Sequence, residues 1–253
     1  MANKFDFTLR GGLKMPALGL GTYAPKEGDD DVFNAVHTAV KAGYRNLDCA
    51  AIYRNERAVG SAIKKLIVEG TIQREDLFIT SKLWNTCHRP DLVRASLKKS
   101  LDDLGVKYLD LYLIHWPMAY KEGEEFMPLD ENGKVIFSDV DYVDTWKVEC
   151  HLHLQQDKLE EYVSCLQEPK VVELAKAKNK TPAQILLRFI IQRGLSAVPK
   201  SVKPERVVEN FQIFDFELSE EEMELLRALN KDFRLNIETV AVDHKYYTFN
   251  DAF

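Results

Sequence analysis

Four side chains with complementary acid–base chemistry follow predicted strands in the first half of the chain. Asp48 closes the second strand with Tyr53 just beyond it, Lys82 lies in the third strand, and His115 closes the fourth. A tyrosine phenol with a pKa of about 10 is a weak acid at neutral pH. A nearby ammonium stabilises the phenolate and lowers that pKa, and a carboxylate keeps the ammonium charged. The set predicts a tyrosine that protonates a developing alkoxide, and an imidazole that orients the substrate carbonyl.

Each of these residues also has a purely structural interpretation when it is taken alone. Asp48 could cap a helix, Lys82 could be solvated, Tyr53 could serve packing, and His115 could be a core histidine. Their shared position favours function, because the carboxyl ends of parallel strands form one rim where active sites of barrel proteins lie. Three aromatic residues end strands at the same rim, where they either line an apolar substrate pocket or pack the rim: Tyr23, Trp84 and Trp116.

The elements that must position these groups alternate along the chain. A hairpin is predicted over residues 5–9 and 14–17; strands over 18–23, 46–50, 77–83 and 108–116; and helices over 29–43, 55–69 and 91–104. Strand–helix alternation of this kind predicts a parallel sheet covered by helices. Residues 140–179 are predicted to be nearly all helical. A capped helix then starts at Thr181, a strand covers 195–201, and helices cover 205–210 and 219–229.

Composition narrows the class of protein. The chain has 253 residues, of which 45% are hydrophobic and 29% charged, with a net charge of −6. This charge argues against a nucleic-acid partner, and no apolar run reaches the ~18 residues that span a bilayer. No signal core opens the chain, so we expect a cytosolic monomer with its four cysteines reduced. A single domain over residues 1–253 is expected, with a C-terminal tail at 230–253.

Four segments in chain order resemble the aldo-keto reductase superfamily. "GYRNLDCAAIYRNE" carries Asp48 and Tyr53, "LFITSKLWN" carries Lys82, and "YLDLYLIHWP" carries His115. "AVPKSVKPERVVENF" is similar to the family's cofactor signature. The resemblance implies a (β/α)8 barrel that reduces aldehydes and ketones with NADPH, with Tyr53 as proton donor. Tyr53, Trp84, His115 and Trp116 would contact the substrate.

The resemblance also implies where the cofactor binds. Lys200, Ser201 and Arg206 would hold the 2′-phosphate, and Glu209 and Asn210 would contact the adenine. The remaining cofactor contacts implied are Gly21, Thr22, Tyr23, Asp48 and Val202. Independently, two cations and a hydroxyl at a strand end and helix start suit a dianionic phosphate, although surface solvation is the alternative. "GLGTY" at residues 19–23 is not the G-x-G-x-x-G fingerprint, so a Rossmann site is not expected.

Two stretches of the family pattern have no counterpart. "DYVDTWK" runs directly into "VECHLHLQQDKL", and "LEEYVSCLQ" meets "EPKVVELAKAKNK". At roughly 30 residues for each βα unit, two lost units predict a barrel about 60 residues short. The family's residues that orient the nicotinamide belong to these stretches and cannot be assigned. A smaller departure is Asn46, where the family more often has His or a small residue.

Three functional hypotheses remain open from the sequence. The first is an NADPH-dependent carbonyl reductase, with NADPH/NADP+ as cofactor and a small carbonyl compound as substrate. The second is a truncated variant that binds NADP(H) or has a structural role without turnover. The third is a metal-dependent barrel hydrolase using His151 and His153, for which no third ligand is evident; no metal is expected.

Overall fold

A computed structural model describes residues 5–9, 12–148, 165–230 and 239–247. The strands are β1 Phe7–Thr8, β2 Lys14–Met15, β3 Leu20–Gly21, β4 Asn46–Asp48, β5 Phe78–Leu83 and β6 Leu111–Ile114. The helices are α1 Asp29–Ala42, α2 Glu56–Val68, α3 Pro90–Leu104, α4 Tyr142–Trp146, α5 Pro169–Lys178, α6 Pro182–Gln192, α7 Pro204–Phe211 and α8 Glu220–Arg227. Short 3₁₀ turns cover Ala51–Tyr53, Arg74–Asp76, Asn85–Cys87 and Thr239–Ala241.

A parallel sheet with strand order β3-β4-β5-β6 organises the first half of the chain. Its register pairs Leu47 with Ile79 and Lys82 with Leu113, so the carboxyl ends of the strands lie at one edge. A preceding hairpin, β1–β2, is antiparallel. Among the described residues the sheet does not close into a barrel. The N-terminal hairpin and the alternation of strands and helices in the first half of the chain are confirmed.

The predicted strand at 195–201 is wrong in its extent but right in its location. Instead of a continuous strand, two single parallel bridges join Ala197 to Leu18 and Lys200 to Gly21. This segment thus lies on the free side of β3, opposite β4. A Cβ on Gly21 would lie 2.6 Å from the Val198 carbonyl oxygen, so the close approach of the two backbones requires glycine.

The strand predicted over 108–116 is also shorter than expected. The Arg74 guanidinium donates to the Tyr108 carbonyl and to Asp110 Oδ2, and that same carboxylate oxygen accepts from the Ile79 N–H. The Asp110 backbone N–H still bonds to the Ile79 carbonyl at 3.0 Å, but the Ile79 N–H is bonded by a side chain, and β6 begins only at Leu111. Asp110 therefore has a structural role, in which its carboxylate fixes the start of β6 to Arg74 and to β5.

The main core lies between the sheet and the helices. Apolar residues of β3, β4 and β5 pack against α1, α2, α6 and α7. The helix predicted from Thr181 is confirmed, since the Thr181 hydroxyl caps the Gln184 N–H and the Gln184 side chain accepts from the Thr181 N–H. Of the predicted helical stretch 140–179, α4 and α5 are present, while residues 149–164 lie outside the described residues. The core fixes the sheet, and the sheet fixes the edge that carries the polar groups.

Candidate active site

Three adjacent strands deliver the predicted acid–base residues to one edge of the sheet. Asp48 is the last residue of β4, Lys82 lies one residue before the end of β5, and His115 directly follows β6. The chain leaves β4 through Ala50 into a 3₁₀ turn that ends at Tyr53. The His115 N–H bonds to the Leu83 carbonyl at 3.0 Å, which continues the β5–β6 ladder to the site.

The ammonium of Lys82 is held by two oxygen atoms. Its Nζ donates to Asp48 Oδ1 at 2.6 Å and to the Cys49 carbonyl oxygen at 2.9 Å. The Lys82 side chain is 7% exposed, so the ion pair is largely buried. Burial is the largest single effect and disfavours the ammonium, but the charge and hydrogen bond of Asp48, with the negative charge that Tyr53 gains when it loses its proton, outweigh it and raise the pKa of Lys82. Lys82 is therefore a fixed positive charge at neutral pH.

Tyr53 lies beside this ammonium, with Lys82 Nζ 5.2 Å from the centre of its ring. Burial raises the pKa of Tyr53 to about 12, while the charge of Lys82 and a hydrogen bond from it pull in the opposite direction. Lys82 therefore lowers the pKa of Tyr53 as predicted, but the loss of hydration is the larger effect, so this pKa lies above its ordinary value. Tyr53 is thus a phenol that keeps its proton at neutral pH and can donate it.

Aromatic rings enclose the same point. His115 lies edge-on to Tyr53 and to Trp84, with ring centres 5.8 Å and 5.3 Å apart, and is stacked on Trp116 at 6.2 Å. Tyr23 contacts Tyr53 with ring centres 5.1 Å apart. These contacts bring Tyr23, Trp84 and Trp116 to the predicted rim. The arrangement can present an imidazole and a phenol to a substrate bordered by apolar rings.

Trp84 and Trp116 are also buried in a cluster of their own with Met118 and Tyr120. The Trp84 indole N–H donates to the Phe126 carbonyl at 2.7 Å, which ties the loop after β6 to the rim. The described part of the tail also contributes, since Ala241 and Tyr247 pack into this cluster. Packing at the rim is therefore confirmed for both tryptophans, while their role in lining a substrate pocket stays a prediction.

The predicted phosphate site lies across β3 from these residues. The predicted cofactor residues Gly21, Thr22, Lys200, Ser201 and Val202 line one small cavity at the start of α1. The Thr22 hydroxyl donates to the Asp48 carbonyl at 2.9 Å and so connects this cavity to the acid–base residues.

The other predicted cofactor residues lie on α7. Arg206 is exposed there, whereas Glu209 and Asn210 are half-buried. The Glu209 carboxylate already accepts a hydrogen bond from the Thr181 hydroxyl at 2.9 Å. Lys200 and Ser201 thus lie beside β3 in the cavity, whereas Arg206 lies on the exposed surface of α7.

Two residues near the site were missed by reasoning from the sequence. Glu56, at the start of α2, is buried and accepts hydrogen bonds from the Ser81 and Ser100 hydroxyls at 2.6 Å and 2.9 Å. Burial raises its pKa. Glu27 bonds to Lys200 at 2.5 Å. Glu56 lies at the end of the first quoted segment and could have been singled out there, whereas no pattern marks Glu27.

The described ranges hold neither a membrane-spanning helix nor a cluster of metal ligands. Residues 5–9, 12–148, 165–230 and 239–247 contain no helix long and apolar enough to cross a bilayer. Across these same ranges, no group of three or more His, Cys, Asp or Glu residues could hold a metal ion. His151 and His153, the residues of the metal hypothesis, lie outside the described residues.

Known proteins share both the sequence and the fold. The model of the aldo/keto reductase family matches residues 17–170 and 155–231. Aldo-keto reductase family 1 member A1 of Xenopus tropicalis is 37% identical over 329 aligned positions, which cover 100% of both chains. Member D1 of Rattus norvegicus is 38% identical over 315 positions, with 97% of each chain covered. The solved structure of the aldose reductase from Schistosoma japonicum has a TM-score of 0.89 at 35% identity and covers 98% of this chain and 99% of that one.

Fold and site together define an α/β protein of the (β/α)8-barrel type with its polar groups at the carboxyl ends of parallel strands. Because the family model spans most of the chain and relatives match it along their whole length, the chain belongs to the aldo/keto reductase family. Members of this family are oxidoreductases that act on small carbonyl compounds.

Proposed function

We propose that the protein reduces aldehydes or ketones to alcohols with NADPH, and that Tyr53 is the proton donor. The observation that carries the proposal is the buried Lys82–Asp48 ion pair beside Tyr53, at the same edge as His115. A phenol, an ammonium, a carboxylate and an imidazole meet there. Proton donation to an oxygen that becomes negative is the chemistry these groups share.

The residues beside β3 fit the proposed cofactor by their chemistry. Lys200 and Ser201 offer an ammonium and a hydroxyl directly before α7, which begins at Pro204. Cationic and hydroxyl donors at a helix start suit a phosphate group. Lys200, Ser201 and Arg206 would hold the 2′-phosphate, with Glu209 and Asn210 toward the adenine. When bound, NADPH would supply the hydride that reduces the carbonyl carbon.

The protein's own groups divide the remaining work. Tyr53 donates its hydroxyl proton to the carbonyl oxygen as negative charge develops there. Lys82, kept charged by Asp48, stabilises the phenolate that this transfer leaves behind. His115 orients the carbonyl by a hydrogen bond, while Trp84 and Trp116 border an apolar substrate. The product alcohol leaves, and Tyr53 regains a proton from water.

We also propose that the barrel is about two βα units short and forms one domain over residues 1–253 with a substrate-selecting tail at 230–253. The alignment with the Xenopus tropicalis relative supports the shortening, because 329 positions are needed to align a chain of 253 residues. The proposed form is a cytosolic monomer. A variant without turnover has less support, because the four acid–base groups remain together.

NADPH oxidation followed by absorbance with a series of simple aldehydes tests the reductase proposal. Replacing Tyr53 by phenylalanine removes the proton and leaves the ring, so we expect turnover to fall by about 10²- to 10⁴-fold. The matched control is Tyr108→Phe, which removes a hydroxyl from a tyrosine that is 39% exposed. Full activity in Tyr53→Phe, or a wild-type protein that binds NADPH without turnover, contradicts the proposal.

A further inference from the structure

The Lys200 ammonium, which the proposed function assigns to the 2′-phosphate, is bonded to a carboxylate of this chain. Lys200 Nζ donates to Glu27 Oε1 at 2.5 Å, and Glu27 Oε2 accepts from the Lys26 backbone N–H at 3.1 Å. Glu27 immediately precedes Gly28, the N-cap of α1. The contact therefore ties the loop between β3 and α1 to the segment that carries the phosphate residues.

The cavity beside Lys200 is small. The cavity that Lys200 and Ser201 line with Gly21 measures about 10 Å³, which is room for about one water molecule. The backbones of Gly21 and Lys200 are joined by a parallel bridge, so that wall is fixed. Because Glu27 already accepts a hydrogen bond from the Lys200 ammonium, a phosphate that binds this ammonium comes close to the Glu27 carboxylate.

Charge makes the two anions competitors. A phosphate monoester carries a charge of about −1.5 to −2 at neutral pH, and three acidic residues in the first turn of α1 add to the charge of Glu27: Asp29, Asp30 and Asp31. Like charges that share one cation repel each other. The Lys200 ammonium has three N–H donors, so the competition is electrostatic: each anion held by this one cation weakens the binding of the other.

We propose that Glu27 competes with the 2′-phosphate for Lys200, so that this carboxylate weakens NADPH binding and reduces the preference for NADPH over NADH. The inference rests on the proposed function, in which Lys200 holds that phosphate. Glu27 is then a specificity-determining residue. NADH lacks the 2′-phosphate, and its binding does not depend on breaking the pair.

The expected size of the effect follows from the exposure of the pair. The Lys200 side chain is 32% exposed and that of Glu27 22%, so solvent screens their attraction. Ion pairs of this kind contribute modestly, and we expect Glu27→Gln to bind NADPH about fivefold more tightly. The gain should shrink as salt is raised, because the competing charges are screened. NADH affinity should stay within about twofold of the wild-type value.

The test measures binding to the purified full-length protein rather than turnover. NADPH and NADH are titrated by nucleotide fluorescence, and adenosine 2′,5′-bisphosphate and AMP by calorimetry. The variants are Glu27→Gln, Lys200→Met and the double variant. Asp30→Asn is the matched control, since it removes one exposed charge from the same turn region. We expect Glu27→Gln to strengthen only the ligands with a 2′-phosphate, and to have no such effect in the Lys200→Met background.

The outcomes separate this inference from the function on which it rests. If the wild type prefers NADPH and Glu27→Gln binds it equally well or more weakly, the carboxylate orients Lys200 and does not compete, and the inference is overturned. An equal gain for NADPH and NADH, or an equal gain in Asp30→Asn, also overturns it. If neither the wild type nor Glu27→Gln binds any of the four ligands, the proposed cofactor site itself fails.

Discussion

Replacing Lys82 by methionine removes the one charge that the proposed mechanism cannot lose. Lys82 Nζ is bonded to Asp48 Oδ1 and to the Cys49 carbonyl, and its side chain is 7% exposed. Methionine is unbranched and of comparable length, so it fills much of the same space. The Asp48 carboxylate, 19% exposed, then loses its ammonium partner.

The magnitude follows from this burial. Removing one partner of a buried ion pair costs about 3–5 kcal/mol, because it leaves an uncompensated charge. Asp48 keeps some contact with water, so we expect Lys82→Met to lower the free energy of unfolding by about 2–4 kcal/mol at pH 7. Lys82→Met/Asp48→Asn removes the orphaned charge and should recover about half of this loss. Because the pKa of Lys82 is raised on folding, the stability that the ammonium contributes is fully present from pH 7 to about pH 10 and is lost only at higher pH.

The same substitution should impair catalysis beyond its effect on stability. The Lys82 charge lowers the pKa of Tyr53, against the larger effect of burial. Without it the phenol is a weaker acid, and we expect turnover to fall by about 10²- to 10⁴-fold. Urea unfolding and NADPH oxidation are measured on the single and double variants. A Lys82→Met protein within about 1 kcal/mol and threefold of wild type, or a double variant no more stable than the single, would refute the reasoning.

Two further predictions concern buried titratable groups. Because the pKa of Tyr53 is about 12, its phenol stays protonated between pH 6 and 9, and the rate of carbonyl reduction should not change through Tyr53 in this range. The reverse reaction, alcohol oxidation, needs the phenolate, so its rate should rise about tenfold for each pH unit. Initial rates measured in both directions check this prediction, and a reduction rate that falls with a pKa of about 7–8 contradicts it. Glu56→Gln keeps an acceptor for the Ser81 and Ser100 hydroxyls and removes a carboxyl group whose pKa is raised by burial, so its free energy of unfolding at pH 7 should lie within about 1 kcal/mol of the wild-type value. Glu56→Ala loses both acceptors, and its free energy of unfolding in urea should fall by about 2–4 kcal/mol. Equal losses in the two variants would contradict the contacts of Glu56.

Much of the sheet could be predicted from the sequence because its patterns are local. Periodic apolar residues define α1 to α3, and the short apolar runs that follow each of these helices define β4 to β6. Parallel strands then place their carboxyl ends together by geometry alone, which is why Asp48, Lys82 and His115 could be assigned to one edge before any coordinates. The Lys82–Asp48 contact confirms that placement, while the catalytic roles stay a proposal.

Long-range and environmental effects could not be predicted in the same way. The direction of the Tyr53 pKa shift depends on how much water the fold removes, and that quantity has no local pattern. The Glu27–Lys200 pair joins positions 173 residues apart, so nothing near either residue announces it. The segment 195–201 pairs with residues 18–21 through two single bridges, an irregularity that no local pattern of the sequence marks.

The position of β3 explains how a shortened chain could keep both halves of the proposed site. On one side β3 pairs with β4, which carries Asp48, and on the other it is bridged to Lys200. The acid–base residues come from the uninterrupted stretch 46–116 and the phosphate residues from 197–210, so β3 joins them directly, whatever lies between. Loss of intervening units would therefore act on the opposite wall, where the family's nicotinamide-orienting residues are expected. We accordingly expect such a loss to weaken binding of the nicotinamide more than binding of the 2′-phosphate, and to leave the Lys82–Asp48 pair intact.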